Sequence, residues 1–467
     1  MTLVLLIYLA ALLALSVRVS SQVTDVNDYL LAGRRLGLAL SWATLFSTWF
    51  GAGTLLTAAD EVAKSGVAAA ALEPLGPGVC LLLAGFLVAR PLRRLELTTI
   101  ADLFGMRYGR LGEASSALIL ASSYFGWIAV QFVSLAKTLD RLAVLSYQPA
   151  LWLTAGVGTA YTLIGGMWSV TLTDAVQVTL LLSGLSVLGL RIHRQHGTSA
   201  IVRATLTRAA GIPRGAQPWI DWTTAVLIGA LGNLPGQDLL QRVFAARSEQ
   251  VAQRACWLAG AAYLFFGALP VLIGLTAAQH SPELQGQSVV VASAQQLLGP
   301  ISGMLFILGL VSAVLSTIDS AILSPSALLA QNIFGRVDRQ LDTRRAMRAN
   351  RLAVVAVAAI SMLMALYGES AYTLLEQAYV LPLVGLLVPL LIATYWPQAA
   401  SPRRGVLAII GGTSIWLTHE LLGWRYLLGP LSQRWRVKMP TAIGAPLVAS
   451  LSFLLPRARP ALADEQR

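Results

Sequence analysis

Apolar runs of about twenty residues alternate with short polar segments along almost the whole chain. They fall at 2–17, 38–59, 67–89, 115–136, 149–166, 172–192, 222–241, 255–277, 299–330, 351–367, 372–396, 403–421 and 439–455. Each is close to the length a helix needs to cross a bilayer, so the pattern predicts thirteen transmembrane helices. One run carries an internal polar pattern, 311-VSAVLSTIDSAILSPSALLAQNIF-334. On a helix, Ala313, Ser316, Thr317, Ser320 and Ser324 fall at i, i+3, i+4, i+7 and i+11, a narrow seam of small and hydroxyl residues. Asp319 stands beside it. A carboxylate is costly in hydrocarbon and must face protein, water or an ion. Hydroxyls and carboxylates are hard ligands suited to a hard cation, although the same seam would serve close helix packing.

Two other runs are interrupted. In 41-SWATLFSTWFGAGTLLTAAD-60, Gly51 and Gly53 weaken the helix in mid-span, and in 226-VLIGALGNLPGQDLLQR-242 the interruption is Gly229, Gly232, Pro235 and Gly236. They lie five spans apart, which points to two inverted repeats with binding sites at the broken helices.

Composition narrows the class. The chain has 467 residues, 56% hydrophobic and 12% charged. A soluble chain carries about a quarter charged residues, so this is a polytopic membrane protein. The net charge of +12 comes from Lys and Arg in loops, where it sets topology rather than binding nucleic acid. Their distribution, with Arg242 counted among the inside-loop residues, favours an outside N-terminus and a cytoplasmic C-terminus in a plasma membrane of bacterial inner-membrane type. The two cysteines, Cys80 and Cys256, lie in apolar runs and imply no disulfide framework. The sequence shows no nucleophile elbow, phosphate loop or metal-ligand cluster, so no enzyme activity is expected.

Six ordered stretches carry a wider likeness: 28-DYLLAGRRLG-37, the ATLFSTWFGAGT span, 97-LTTIADLFGMRYG-109, 161-YTLIGGMWSVTLTDAVQ-177, 236-GQDLLQRVFAARS-248 and 315-LSTIDSAIL-323. The sequence resembles the sodium/solute symporter family. The resemblance implies an all-α membrane protein with a LeuT-type core of two inverted five-helix repeats. On that reading, 1–37 is a first helix and inside loop, and 38–192 the first repeat. Residues 193–221 form an outside connection, 222–396 the second repeat, and 397–467 two added helices and a short cytoplasmic tail.

It also implies sites. A principal sodium ion would take backbone carbonyls of Ser47, Phe50 and Ala313 and hydroxyls of Ser316 and Thr317. A second sodium, found in some members, would match Asp174, Ser316, Asp319 and Ser320, with Asp319 standing where some members have a hydroxyl. Solute-binding positions would be Thr54, Glu73, Asn233, Gln237, Tyr263 and Gln377. Tyr124, Trp127 and Gln131 share one face of the fourth span and are cavity-lining candidates. Glu73, inside the greasy run 71-ALEPLG-76, suggests a donor-rich or cationic solute. Gly232 and Asn233 replace the gating Tyr-Trp pair of sugar carriers, and Trp49 replaces an Asp of proline carriers. The expected function is sodium-coupled import of a small organic solute by alternating access, with sodium co-transported and no obligatory protein partner. A proton-coupled carrier and a transporter-like sensor are the alternatives.

Overall fold

The structure, a computed structural model, describes residues 2–208, 213–280, 288–335, 343–367, 371–434 and 437–455. The terminal tail from 456 and four residues of the 193–221 connection lie outside the described residues. The described residues are almost entirely helical. Eight helices among them are long and apolar enough to cross a membrane: Thr2–Ser20, Val67–Leu87, Ile100–Arg141, Tyr147–Gly197, Glu249–Gln279, Pro300–Phe334, Thr343–Tyr367 and Thr373–Tyr395. Both interrupted runs are divided into shorter helices, which is why neither reaches the length of a full span.

The first interrupted run forms Leu38–Trp49, a wide turn at Gly53–Thr57, and Ala58–Ser65. The second forms Ala216–Gly232 and Gln237–Ala245. Their far ends are stapled together. Leu36 N–H donates to the Ala245 carbonyl at 3.1 Å, and Arg247 N–H to the Leu36 carbonyl at 2.9 Å. The backbone entering one broken span is thereby fixed to the backbone leaving the other.

The seam helix, Pro300–Leu328, is buried along its length from Phe306 onward except at Leu308. It packs most extensively on the long helix Tyr147–Arg208 and also on Ile100–Arg141 and Leu38–Trp49. Hydropathy divides Tyr147–Arg208 into two runs, and the structure breaks it at the same place, with non-helical backbone at Gly166 and again at Gly197. Gly166 stands at φ 51°, ψ −141°, a conformation open to glycine, and a side chain there would strike the Tyr29 carbonyl at 2.3 Å. Ile100–Arg141 is likewise broken, at Gly109 (φ 74°, ψ −172°), which sets a short polar helix ahead of the apolar run. Its start is capped by Thr99 and Asp102, with Asp102 Oδ2 accepting from the Thr99 N–H at 2.9 Å. Its polar first turns are helical because of the cap, a feature hydropathy does not register.

Candidate functional site

The break in the first interrupted span is a local consequence of its sequence. Phe50 closes Leu38–Trp49 at φ −82°, ψ 58°, off the helical values. Gly51 N–H turns back to the Trp49 carbonyl at 2.9 Å, and Leu55 N–H then picks up the Gly51 carbonyl at 3.0 Å. Ala52 N–H, lacking a helical acceptor, donates to Gln131 Oε1 at 3.0 Å. A Cβ at Gly51 would lie 2.3 Å from Thr317 Oγ1 and 2.9 Å from Gln131 Oε1. Only a glycine lets the break rest directly on the seam helix.

At that contact four of the five sodium-site candidates meet. Ser316 Oγ lies 3.1 Å from the Ser47 carbonyl and 2.9 Å from the Ala313 carbonyl. Thr317 Oγ1 lies 3.4 Å from the first and 3.0 Å from the second. Phe50 follows Ser47 by three residues, at the break itself. Ser47, Phe50, Ala313, Ser316 and Thr317 are all buried. The oxygens are neutral, close together and shielded from water, an arrangement a monovalent hard cation can occupy without a fixed countercharge.

Next to it lies a cluster of acidic and aromatic side chains. Glu73 is 5% exposed and is held by three hydroxyls. Thr54 Oγ1 donates to Oε2 at 2.6 Å, Tyr379 OH to Oε1 at 2.7 Å, and Tyr263 OH lies 3.2 Å from Oε2. Tyr263 OH also sits 3.0 Å from the Trp49 carbonyl and contacts Thr54 Oγ1. The indole N–H of the same Trp49 donates to Asp238 Oδ2, and Tyr124 OH donates to Asp238 Oδ1. The Trp127 ring lies 5.7 Å from the Tyr124 ring, and the Phe50 ring 5.1 Å from that of Tyr263. Among the described residues, no basic side chain forms an ion pair with Glu73 or Asp238. Glu73 and Asp238 are thus satisfied by neutral donors, most of them the hydroxyl or N–H of an aromatic residue.

The remaining solute candidates separate from this cluster. Gln131 serves the helix break. Gln237 Oε1 accepts from the Ile100 N–H at 2.8 Å and so finishes a helix N-terminus. Asn233 Nδ2 turns back to the Gly229 carbonyl at 3.2 Å. Gln377 Nε2 donates to Glu420 at 3.3 Å, beside a separate cavity of about 510 Å³ that Glu420 lines with Asp221, Glu376 and Trp416.

The four residues matched to a second sodium are also buried. Asp174 Oδ2 accepts from Thr44 Oγ1 at 2.5 Å, and Asp319 Oδ1 from Ser320 Oγ at 3.2 Å. Asp174 Oδ1 and Asp319 Oδ2 have no protein hydrogen-bond partner among the described residues. Arg242 is placed differently from its reading as a loop residue. It is 1% exposed and reaches into this group, because its helix begins at the break of the second span and so carries it inward. Asp238, Tyr379 and Arg242 are site residues that the sequence does not single out. The available signal is an acid and a base four residues apart, in 236-GQDLLQR-242, immediately after a broken span.

Comparison with known proteins agrees with this architecture. The sequence profile of the sodium:solute symporter family matches residues 29–411. The human high affinity choline transporter is 29% identical over 369 residues, covering 74% of this chain and 63% of the relative, so the chain spans just under two thirds of that protein's length. The Caenorhabditis elegans high-affinity choline transporter is 27% identical, covering 85% and 71%. The Haemophilus influenzae sodium/proline symporter is 24% identical, covering 76% and 75%. Among solved structures, a substrate-bound, outward-open Na+-coupled sialic acid symporter superposes with a TM-score of 0.78 at 18% identity, covering 97% of this chain and 95% of the other. A nucleobase-cation-symport-1 family transporter in a closed conformation gives 0.61 at 17% identity, covering 91% and 93%. Both share the LeuT-type fold. The match over residues 29–411 shows that this chain belongs to the sodium:solute symporter family, whose members are transporters and not enzymes.

Proposed function

We propose that the chain is a sodium-coupled symporter importing a small organic cation, of the quaternary-ammonium class for which its choline-transporter relatives are named. The observation that carries the reading is the pairing of Glu73 and Asp238 with Trp49, Tyr124, Trp127, Tyr263 and Tyr379. A quaternary ammonium donates no hydrogen bonds. It is held by aromatic faces and by negative charge at short range, and this cluster supplies both aromatic residues and carboxylates for such a site. A neutral zwitterion or an anionic sugar acid would meet two carboxylates with no basic group paired to them that could hold its own carboxylate.

In this reading the coupling ion sits on the carbonyls of Ser47, Phe50 and Ala313 and the hydroxyls of Ser316 and Thr317. It draws the broken helix onto the seam helix. The solute then binds against Glu73 and Asp238, and the bundle rocks to open inward. The two repeats, 38–192 and 222–396, each contribute one broken span to the moving bundle, within thirteen spans that start outside and end in the cytoplasm. The membrane is a plasma membrane of the bacterial inner-membrane type.

The test is uptake of radiolabelled choline into proteoliposomes, with external sodium or with potassium in its place at fixed pH. Sodium-stimulated uptake, competed by tetramethylammonium and not by proline, supports the reading. Sodium-independent uptake driven by a pH gradient would transfer it to a proton-coupled carrier. Sodium-stimulated proline or sialic acid uptake with choline inert would overturn the choice of solute.

A further inference from the structure

A basic side chain is buried at the centre of the bundle, and the sodium and solute groups leave it without a role. Arg242 projects from the short helix Gln237–Ala245. Its Nη2 donates to Ser320 Oγ on the seam helix at 2.5 Å. Its Nε donates to Thr44 Oγ1 on the first broken helix at 3.1 Å and lies 3.3 Å from the Thr44 carbonyl. Its Nη1 donates to the Asp238 carbonyl, one turn back on its own helix, at 2.8 Å.

The positions of these partners are regular. Thr44 precedes Ser47 by three residues, and Ser320 follows Ser316 by four. The guanidinium therefore bridges the same two helices as the candidate sodium ligands, one helical turn away on each. Behind each bridged hydroxyl lies a buried carboxylate, Asp174 behind Thr44 and Asp319 behind Ser320. Each acid is linked to the guanidinium through the hydroxyl between them, and neither forms an ion pair with it among the described residues. The fork geometry of arginine allows one planar group to fix the spacing of two helices and of its own helix at once.

The third contact gives the arrangement a direction. Asp238 carries the solute site's second carboxylate, and its partner Trp49 lies two residues beyond Ser47 on the broken helix. Ion site and solute site are thereby joined through a short rigid loop of contacts: Ser47 to Thr44 along one helix, across Arg242, then to Asp238 along another.

We infer that Arg242 is the residue that couples ion occupancy to solute affinity. Sodium closing the gap between the broken and seam helices sets the Thr44–Ser320 spacing. Arg242 reads that spacing and sets the position of Asp238 against the solute. It is a positioning residue: it ligates neither ion nor solute. This inference rests on the sodium and organic-cation reading proposed above.

The test is a linkage measurement on the full chain in nanodiscs. Choline dissociation constants are measured with and without saturating sodium, and sodium constants with and without saturating choline. In the wild type the two ratios agree, as reciprocity requires, at about tenfold or more. In Arg242→Gln both ligands still bind and the ratio falls below about threefold. Thr44→Val removes one of the guanidinium's two hydroxyl anchors while keeping its charge, and lowers the ratio in the same way even where Arg242→Gln does not fold. A purely structural role would lower both affinities or the melting temperature and leave the ratio intact. An undiminished ratio in either variant overturns the inference. A wild type with no linkage overturns the symport reading and this inference with it.

Discussion

Glu73 is a carboxylate with three hydroxyl neighbours and no cation paired to it among the described residues, so on the proposed organic-cation reading the charge that balances it arrives with the solute. Glu73→Gln keeps the shape and removes the charge. We predict a loss of choline affinity of about tenfold, or 1.4 kcal/mol, with sodium affinity changed less than about twofold. Paired binding isotherms would check this, and a larger loss for sodium than for choline would contradict it. The seam makes the opposite prediction. Ser316→Ala with Thr317→Ala removes two hard ligands from a buried cluster of oxygens and should abolish sodium stimulation of uptake. The sodium-free melting temperature should stay within a few degrees, because both hydroxyls otherwise serve only carbonyls on the two helices. Glu73 and the seam were legible because polarity inside a greasy run stands out. Tyr379 was not, since a tyrosine in an apolar span reads like any packing aromatic until its hydroxyl is seen on Glu73. Asn233 and Gln377 show the converse limit. Polarity declares that a side chain needs a partner, and the backbone of Gly229 or the carboxylate of Glu420 can be that partner as well as a solute can.

At the scale of elements, the breaks were visible as glycines in mid-span, because each such residue weakens a helix that nothing else would interrupt. What they do depends on the element facing them. Gly51 is a contact residue as much as a hinge, since any side chain there would enter the seam. Gly51→Ala should push Thr317 and Gln131 aside and raise the sodium concentration for half-maximal uptake about tenfold, the scale of a misplaced ligand group. Choline affinity measured without sodium should be nearly unchanged. Sodium titration of uptake beside sodium-free binding separates the two, and equal loss in both would mean that the whole broken span had shifted. Hydropathy puts Arg242 in a loop because a base next to an apolar run normally marks a membrane edge. The short helix after the second break carries it inward instead. The capped start of Ile100–Arg141 was hidden for a related reason: hydropathy measures what lipid would accept, whereas a capping box makes helix from polar residues.

For the whole molecule, charge decides how strongly the membrane potential can drive transport. A cycle that carries one sodium and one monovalent organic cation moves two positive charges, and the fixed carboxylates and Arg242 return to where they began. Each charge crossing the membrane potential is worth about 2.3 kcal/mol per 100 mV, so two gain about 4.6 kcal/mol. At about 1.4 kcal/mol per tenfold step, that concentrates the solute by more than three orders of magnitude at 100 mV before any sodium gradient is added. A neutral or zwitterionic solute would move half that charge, and a monovalent anion carried with one sodium would move none. Solid-supported-membrane currents and radiolabelled choline flux from the same proteoliposomes give the charge moved per solute directly. We predict two, and a reversal potential that shifts by the same amount for a tenfold change in choline gradient as for a tenfold change in sodium gradient. A ratio of one would remove the sodium from the cycle, since choline carries one charge by itself, and a flux undiminished in potassium would agree. A ratio of three would add a second sodium, held by Asp174, Ser316, Asp319 and Ser320, where two carboxylate oxygens have no protein partner among the described residues.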